Sequence, residues 1–410
     1  MKQQTPAHSL EARLARIEAK LDEALTSVDF MRRRMTSYLG GGRAITYLAD
    51  ESPIYVNSND FGPPANLING GLYEADNLDV LFSFARDDSV FVDIGANLGV
   101  FSLQLARRLV AGQVHAFEPH PELGRLLSAS AYLNGFSDLD GASGRIRLHR
   151  HGVGDFNGPI SFAFPVGHLG GGHVGVSGGE VVRCEMRRLD DALGPDFVCD
   201  LMKIDVEGHE LQALQGMPGL LARSKDIKIL FEKLVAHCGY EADIEALLGA
   251  QGFSLYGVGA DRRLALLAPG ALSAYEGYVL AMRDAALAGA RRDSFAIYPR
   301  QLFATPSALV ETSARRLTVA GQQGALLCHG PYWLFRQGAY RVELIGDISG
   351  EIELTVAARF GHPVASFRLD GKTRMATFVA ARDLVHCELV FRAVSREARV
   401  AIERIAVQTL

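Results

Sequence analysis

The sequence predicts an α/β protein: a doubly wound, mostly parallel sheet, preceded by a coiled-coil helix and followed by a β-sandwich. Three observations predict this. Strand-like and helix-like segments alternate from Ser89 to about Leu267, the order that puts helices on both faces of a parallel sheet. Before Gly40, apolar residues recur in steps of four and three, which is a coiled-coil seam. Beyond residue 311 short alternating runs replace the helices, the pattern of half-exposed strands.

The bulk numbers bound the answer. The chain has 410 residues, 48% of them hydrophobic and 22% charged, a globular composition too long for one ordinary core. It reads as an oligomerising helix over residues 8–37, an α/β domain over 43–290, a linker over 291–310 and a sandwich over 311–410. The formal net charge is −5, with no long basic tract, so nucleic acid is not an expected partner. Five cysteines, Cys184, Cys199, Cys238, Cys328 and Cys387, are scattered without a C-x-x-C pair. Reduced thiols in a cytoplasmic protein are the expectation. The polar start, Met1–Ala24, is unlike a signal peptide, and no apolar run of about 20 residues predicts a membrane span.

Leu10, Leu14, Ile17, Leu21, Ala24, Val28, Met31 and Met35 form the N-terminal seam. A helix so polar on its other faces needs a partner, and a homo-oligomer is expected. Gly40-Gly41-Gly42 ends it. Short β-like pieces at Ile45–Leu48 and Ile54–Val56 precede a helix near Asn77–Ala85. Val90–Ile94, Gln113–Phe117, Arg145–His151 and Ile160–Phe164 read as strands, as do Glu180–Met186, Leu201–Ile204 and Ile227–Leu234. Val100–Leu109, Pro121–Asn134, Glu210–Gln215 and Glu241–Ala250 read as helices. Ser254–Val258 and Arg263–Leu267 suit a closing hairpin, and the Ala-rich stretch Ala271–Ala290 a helix. Pro299 and Pro306 mark the linker. Six runs, from Tyr340–Ile345 to Val400–Gln408, are separated by Gly, Asp or Lys turns and make the sandwich.

The segment that carries chemistry is Phe91-Val92-Asp93-Ile94-Gly95-Ala96-Asn97-Leu98-Gly99-Val100-Phe101-Ser102. A buried strand runs into a glycine turn and then a helix, and ligands of such sheets sit outside the carboxyl ends of the strands. Gly95 and Gly99 are spaced G-x-x-x-G, not the G-x-G-x-x-G that seats a pyrophosphate. Asp93 at the strand end repels a diphosphate and suits a cationic ligand. The next strand ends Ala116-Phe117-Glu118-Pro119. A carboxylate there, an acceptor only, takes both hydroxyls of a ribose. A donor that is both adenosine-bearing and cationic, S-adenosylmethionine, fits this polarity.

Asp93-Ile94-Gly95-Ala96-Asn97-Leu98-Gly99, Phe117-Glu118-Pro119 and Lys203-Ile204-Asp205-Val206-Glu207-Gly208-His209-Glu210, with Leu214 and Gly216, resemble the FkbM family of methyltransferases. Gly71-Leu72-Tyr73-Glu74 and Arg188-Leu189-Asp190-Asp191 resemble the flanking segments of that family. The similarity spans roughly residues 45–260. It implies a class I, Rossmann-like methyltransferase fold, S-adenosylmethionine as cofactor and O-methylation of a sugar or polyketide hydroxyl. It implies a cofactor site from Glu74, Asp93, Gly95, Asn97, Gly99, Phe101, Glu118, Pro119, Asp155 and Asp205. The acceptor does not carry over; a sugar of a bacterial polysaccharide or its precursor is the expectation.

A sugar hydroxyl is a poor nucleophile and needs a base or a metal to take its proton. Asp205, Glu207, His209 and Glu210 gather at one strand end. His209 is the natural base by its ordinary pKa of about 6.5. Asp205 ends the strand facing the crevice, and Glu207 is a further candidate. Glu207 and Glu210 also suit a first helical turn, where negative charge is favourable in itself. Glu232 ends the next strand, so Asp205 and Glu232 are the pair that would hold a divalent cation such as magnesium, although no third ligand is evident. Asp155 follows the third strand and is placed beside adenine. The loop His168-Leu169-Gly170-Gly171-Gly172-His173 reads as a lid or an ordinary mobile loop, and His237 and Cys238 follow Glu232. In the C-terminal region Gly330-Pro331-Tyr332-Trp333 resembles carbohydrate-binding-like sandwich domains. The lone tryptophan is a sugar platform if exposed and a core residue if buried. Two other readings remain: a nicotinamide oxidoreductase, which lacks the phosphate turn, and a glycan-binding scaffold with an inactive cofactor domain.

Overall fold

The computed structural model describes residues 35–410 apart from 49, 51, 72, 110, 139–143, 176–178, 234–238, 260–263, 284–293, 298–301, 306–307, 314–315, 336, 359–361 and 383. The helix read over residues 8–37 falls, but for its last positions, outside the described residues, as do His237 and Cys238. The described chain forms two compact units, Thr36–Arg292 and Asp293–Leu410. Among the described residues no helix is long and apolar enough to cross a membrane.

The first unit opens with β1 (Ser37–Gly40), β2 (Arg43–Tyr47) and β3 (Pro53–Asn57), an antiparallel sheet. Helices α1 (Pro63–Gly70) and α2 (Ala75–Phe84) follow. Then come β4 (Val90–Ile94), α3 (Val100–Arg108), β5 (Gln113–Phe117), α4 (Pro121–Leu133), β6 (Ile146–His149), β7 (Gly152–Val153), β8 (Gly158–Phe164), β9 (His173–Val174) and β10 (Glu180–Arg187). The unit closes with α5 (Leu189–Leu193), β11 (Leu201–Ile204), α6 (Glu210–Gln215), α7 (Pro218–Arg223), β12 (Lys228–Lys233), α8 (Glu241–Ala250), β13 (Ser254–Val258), β14 (Leu264–Leu266) and β15 (Gly277–Met282).

The central sheet has the order β14-β13-β15-β12-β11-β4-β5-β6. Strands β6, β5, β4, β11 and β12 are parallel, and β15 runs against β12 and β13. The parallel strands read as apolar runs because both faces are covered. Phe91, Val114 and Leu201 point into one core, Val92, Met202 and Ile204 into the other. A smaller sheet, β7-β10-β8-β9, stands beside this frame, with Phe162, Phe164 and Met186 as its apolar centre. The first sheet is tied to α4: the Tyr55 amide donates to Ser130 Oγ at 2.9 Å and Asn134 Nδ2 to the Pro53 carbonyl at 2.8 Å.

Strand β15 corrects the reading of Ala271–Ala290 as a helix. Tyr278, Val279, Leu280, Ala281 and Met282 are all buried between β12 and β13. A strand covered on both faces has no period-2 signal to separate it from a buried helix. The window 291–310, read as a linker, instead carries the first strands of the second unit.

That unit contains β16 (Ser294–Ile297), β17 (Phe303–Ala304), β18 (Leu309–Ser313), β19 (Arg316–Gln322), β20 (Leu326–His329), β21 (Pro331–Phe335), β22 (Gly338–Ser349), β23 (Ile352–Ala358), β24 (His362–Leu369), β25 (Met375–Ala380), β26 (Leu384–Ala393) and β27 (Glu397–Thr409). They make two six-stranded sheets, β18-β19-β27-β22-β25 with β16 on β27, and β17-β20-β26-β23-β24 with β21 on β26. Every ladder is antiparallel. Alternation sets the faces: Ala376, Phe378 and Ala380 of β25 are buried and the residues between them exposed. Trp333 lies on β21, and its side chain is outside the described set.

Two imidazoles make the first unit sensitive to acid. His115 Nδ1 lies 3.1 Å from His149 Nε2, and the His149 ring stacks on Phe117 at 4.3 Å. Burial pushes His115 down to about 4 and His149 down to about 3. Both are therefore folded as neutral rings. Their contribution is complete above the unfolded value of about 6.5 and is lost as pH falls toward the folded values, by about 1.4 kcal/mol per pH unit per ring. The melting temperature should fall steeply between pH 6.5 and 4.5. His149→Phe keeps the stack, removes one titrating ring and should flatten that slope in a thermal-melt series.

Candidate functional site

Strand β4 lies where the sheet order reverses, with β5 on one side and β11 on the other. The carboxyl ends of these three strands open into one cavity. It occupies about 780 Å³, mouth included, within the usual range for small-ligand sites. Gly95 and Asn97 line it from the turn after β4, Glu118 and Pro119 from the end of β5, and Asp205, Glu207 and His209 from the end of β11. Val153, Phe162, Phe164 and Met186 supply an apolar wall, and Tyr73 enters from the segment before α2.

The turns are held by close backbone contact. At Gly95, φ +78°, a Cβ would stand 1.8 Å from the Asp205 carbonyl oxygen. No other residue lets the β4 and β11 turns approach so closely. Among the described residues, three non-glycine residues have positive φ: Glu74, Asn97 and Glu207. Asn97 and Glu207 line the cavity, and Glu74 is bonded to its neighbours. Left-handed backbone at such residues costs energy and gathers at functional sites.

Glu118 is 5% exposed. Its Oε2 accepts the Asn97 amide at 2.8 Å and its Oε1 the His120 amide at 2.7 Å. Burial raises it to about 7 against those two bonds. Each oxygen keeps a lone pair toward the cavity. Asn97 Oδ1 and His209 Nε2 are buried without a hydrogen-bond partner among the described residues.

Behind the cavity lies a buried ionic network. Lys203 Nζ donates to Asp205 Oδ2 at 2.8 Å and sits 4.8 Å from the Phe101 ring centroid. Burial disfavours its charge, but Asp205, Glu74 and Asp93 around it hold it cationic and raise its pKa. The Tyr278 hydroxyl stands 2.6 Å from Glu74 Oε2 and 3.1 Å from Asp205 Oδ2. Burial would raise Asp205, yet Lys203 keeps it below the usual range, while burial and then Asp205 push its bonded neighbour Glu232 well up. Burial, then Asp205 and Glu210, raise Glu207 to about 7. Glu210 is a structural acid, its Oε1 accepting the Val206 and Gly208 amides at 3.2 Å.

Several expected positions move. Asp93 is fully buried, outside the cavity lining, with Oδ2 accepting from Ser102 Oγ at 2.6 Å and Oδ1 unpartnered. Burial raises its pKa against Lys203 and the Ser102 hydrogen bond. Gly99 caps α3 against Leu127 and Phe101 lies under Lys203, both away from the cavity. Asp155 is exposed and not in the cavity lining; its carbonyl accepts from Arg188 at 3.2 Å, and its charge acts on His209 at the rim. Glu74 and Glu232 stand one bond behind the lining. Tyr278 carried no signal in a stretch read as helix. The His168–His173 loop does reach the site: Leu169, Gly170 and Gly172 line it, and the Leu169 amide donates to the buried Asp60 at 3.3 Å.

The Methyltransferase FkbM domain matches residues 93–255. Methyltransferase sdnD of Sordaria araneosa is 30% identical over 200 residues, 40% of this chain and 73% of that protein. The chain belongs to the FkbM methyltransferase family. Hexuronic acid methyltransferase AglP of Haloferax volcanii is 29% identical over 153 residues, 36% of this chain. This FkbM-family chain spans 58% of that relative's length. A SAM dependent methyltransferase from Aquifex aeolicus is a loose structural likeness, with TM-score 0.31 and 14% identity over 54% of this chain and 94% of its own.

S-adenosylmethionine, which the family implies, fits the residues present: Glu118 beside the glycine turn, the unpartnered Asn97 oxygen and the acidic wall of Asp205 and Glu207. A divalent metal does not fit. Among the described residues no three histidine, cysteine or acidic groups converge in a metal-binding arrangement, and Asp205 and Glu232 bond to each other beside Lys203. In this FkbM-family core, Lys203→Met would leave the buried Asp93 and the half-buried Asp205 and Glu74 without their cation. Breaking a buried pair from one side costs about 3–5 kcal/mol. Urea denaturation should show an unfolding free energy lowered by that amount and a correspondingly lower midpoint, and an unchanged midpoint would contradict the network.

Proposed function

We propose that the chain transfers a methyl group from S-adenosylmethionine to a hydroxyl of a sugar that belongs to a polysaccharide or its precursor. The observation that carries this reading is the cavity itself, where Glu118 and the Gly95 turn face Glu207 and His209 across one space. The hexuronic acid activity in the name of the Haloferax relative supports a sugar acceptor.

S-adenosylmethionine, when bound, supplies a methyl group already activated as a sulfonium. The chain's task is then positioning, which contributes about 7–11 kcal/mol in well-oriented reactions, and removal of one proton. Glu118 accepts the ribose hydroxyls, and Asn97 Oδ1 takes a donor of the same ligand. Glu207 is the base: its raised pKa matches neutral pH, where a general base is most effective. His209, held neutral because burial lowers its pKa, orients the acceptor hydroxyl through its free Nε2. Leu169 and Gly170 exclude water at the mouth. The two sheets of the second unit are proposed as a glycan-holding β-sandwich, and residues 8–37 as an oligomerising coiled coil.

Calorimetric titration and a methyl-transfer assay over a panel of sugars test this. Glu118→Gln should weaken donor binding at least tenfold, the order of one charge-assisted contact set. Because the ionised form of Glu118 takes the hydroxyls and its pKa is about 7, wild-type affinity should fall as pH drops below 7. In Glu118→Gln that dependence should weaken to the part that Glu207 contributes. Glu207→Gln should lower kcat by about 10²–10⁴, the range for a lost general base, a larger effect than its weakening of donor binding, while a chelator leaves turnover unchanged. Donor binding untouched by Glu118→Gln would sink the assignment.

A further inference from the structure

Across Pro119 from the donor cavity lies a second groove of about 1030 Å³, open to solvent. Three arginines line it from three different elements: Arg125 on α4, Arg150 just after β6 and Arg183 on β10. Among the described residues none of the three makes a hydrogen bond or ion pair. One acid, Glu185, stands in the same lining. Gly124 makes room for the assembly, since a Cβ there would lie 3.0 Å from Arg150 Nη1. Several other arginines of this unit are engaged, as Arg108 with Asp87 and Arg223 with Asp190.

We propose that this arginine groove binds the diphosphate of a sugar-diphosphate acceptor and so holds the sugar at the donor cavity. The proposal rests on the methyl-transfer reading above and names its substrate class. Charge decides between ligands. A single carboxylate is satisfied by one bidentate guanidinium, whereas a diphosphate carries enough charged oxygens to engage three. Placement agrees, because Pro119 lines both spaces. Strands β11, β4, β5 and β6 are neighbours. At a spacing of about 4.8 Å the groove edge lies roughly 14 Å from the Asp205 end of the sheet, the reach of a sugar with a diphosphate attached.

The test uses the full chain and two readouts. Calorimetry with inorganic diphosphate should show binding that Arg150→Gln and Arg183→Gln each weaken about tenfold, as expected for one charge-assisted contact. Arg150→Lys should restore part of it, and donor titration of each variant shows that the fold is intact. Methyl transfer is then compared for one sugar offered free, as its nucleoside diphosphate and as its polyprenyl diphosphate. A KM at least tenfold lower for either conjugate, lost in the double variant with kcat little changed, supports the proposal, and the better conjugate identifies the source of the diphosphate. Equal KM for free and conjugated sugar overturns it, as does diphosphate affinity indifferent to the arginines or free hexuronate binding just as tightly. Absence of turnover with every sugar, with diphosphate binding still following the arginines, refutes methyl transfer itself and is thereby distinguishable.

Discussion

A single ammonium, Lys203, buried among acids, holds the working end of the first unit together. It sits on β11 opposite Asp93 of β4 in the parallel ladder and reaches Asp205 at the tip of its own strand. Glu74 arrives from outside the sheet and is tied in through Tyr278. Taking a lysine out of water is costly, and only the surrounding carboxylates make its charged form favourable. The converse holds for Asp205, which Lys203 keeps below the usual range, while at Asp93 burial still outweighs the same ammonium and raises its pKa. Three strands and the segment before α2 are thereby fixed relative to one another by electrostatics, at the edge where a ligand would lie.

That arrangement sets the chemistry of the residues in front of it. Burial, and then the ionised Asp205, push its neighbours Glu207 and Glu232 toward their protonated forms. The two acids differ in place: Glu232 is locked to Asp205, while Glu207 faces the cavity. A carboxyl near neutrality on the open side is the one suited to receive a proton. The backbone agrees, because Glu207 is held with φ +51° beside the Gly95 contact.

Much of this was legible in the sequence. The apolar run Val90–Ile94, the glycine turn and the start of α3 follow from composition and spacing, because a buried parallel strand and a helix cap each leave a local signature. Glu118 was legible as the acid ending the next strand. Local pattern does not give depth, however. Asp93 looks like a strand-tip ligand group, yet it points inward. Asp155 stands near the rim, close enough to act on His209, but outside the lining. Strand β15 was hidden because Tyr278–Met282 is apolar on both faces, and with it went Tyr278, whose partners lie far away in sequence. The arginine groove was invisible for the same reason, since its members come from separate elements and meet only in the folded chain.

The displacement of Asp93 changes how a cationic donor would be recognised. Two acids at adjacent strand tips were expected to face it directly, but the inner one is already compensated by Lys203 and Ser102. The negative charge that remains toward the cavity belongs to Glu118 and to the Asp205–Glu207 turn, on opposite sides of the glycine loop. Asp205 is partly neutralised by Lys203, and Glu118 and Glu207 both titrate near 7. The wall is therefore only weakly charged when empty. A bound cation would lower both pKa values and create the field that holds it, so selectivity against a diphosphate cofactor would grow with binding. The arginine groove beyond Pro119 carries the opposite sign. An acceptor with an anionic handle and a cationic donor would each find charge of the matching sign on its own side of Pro119.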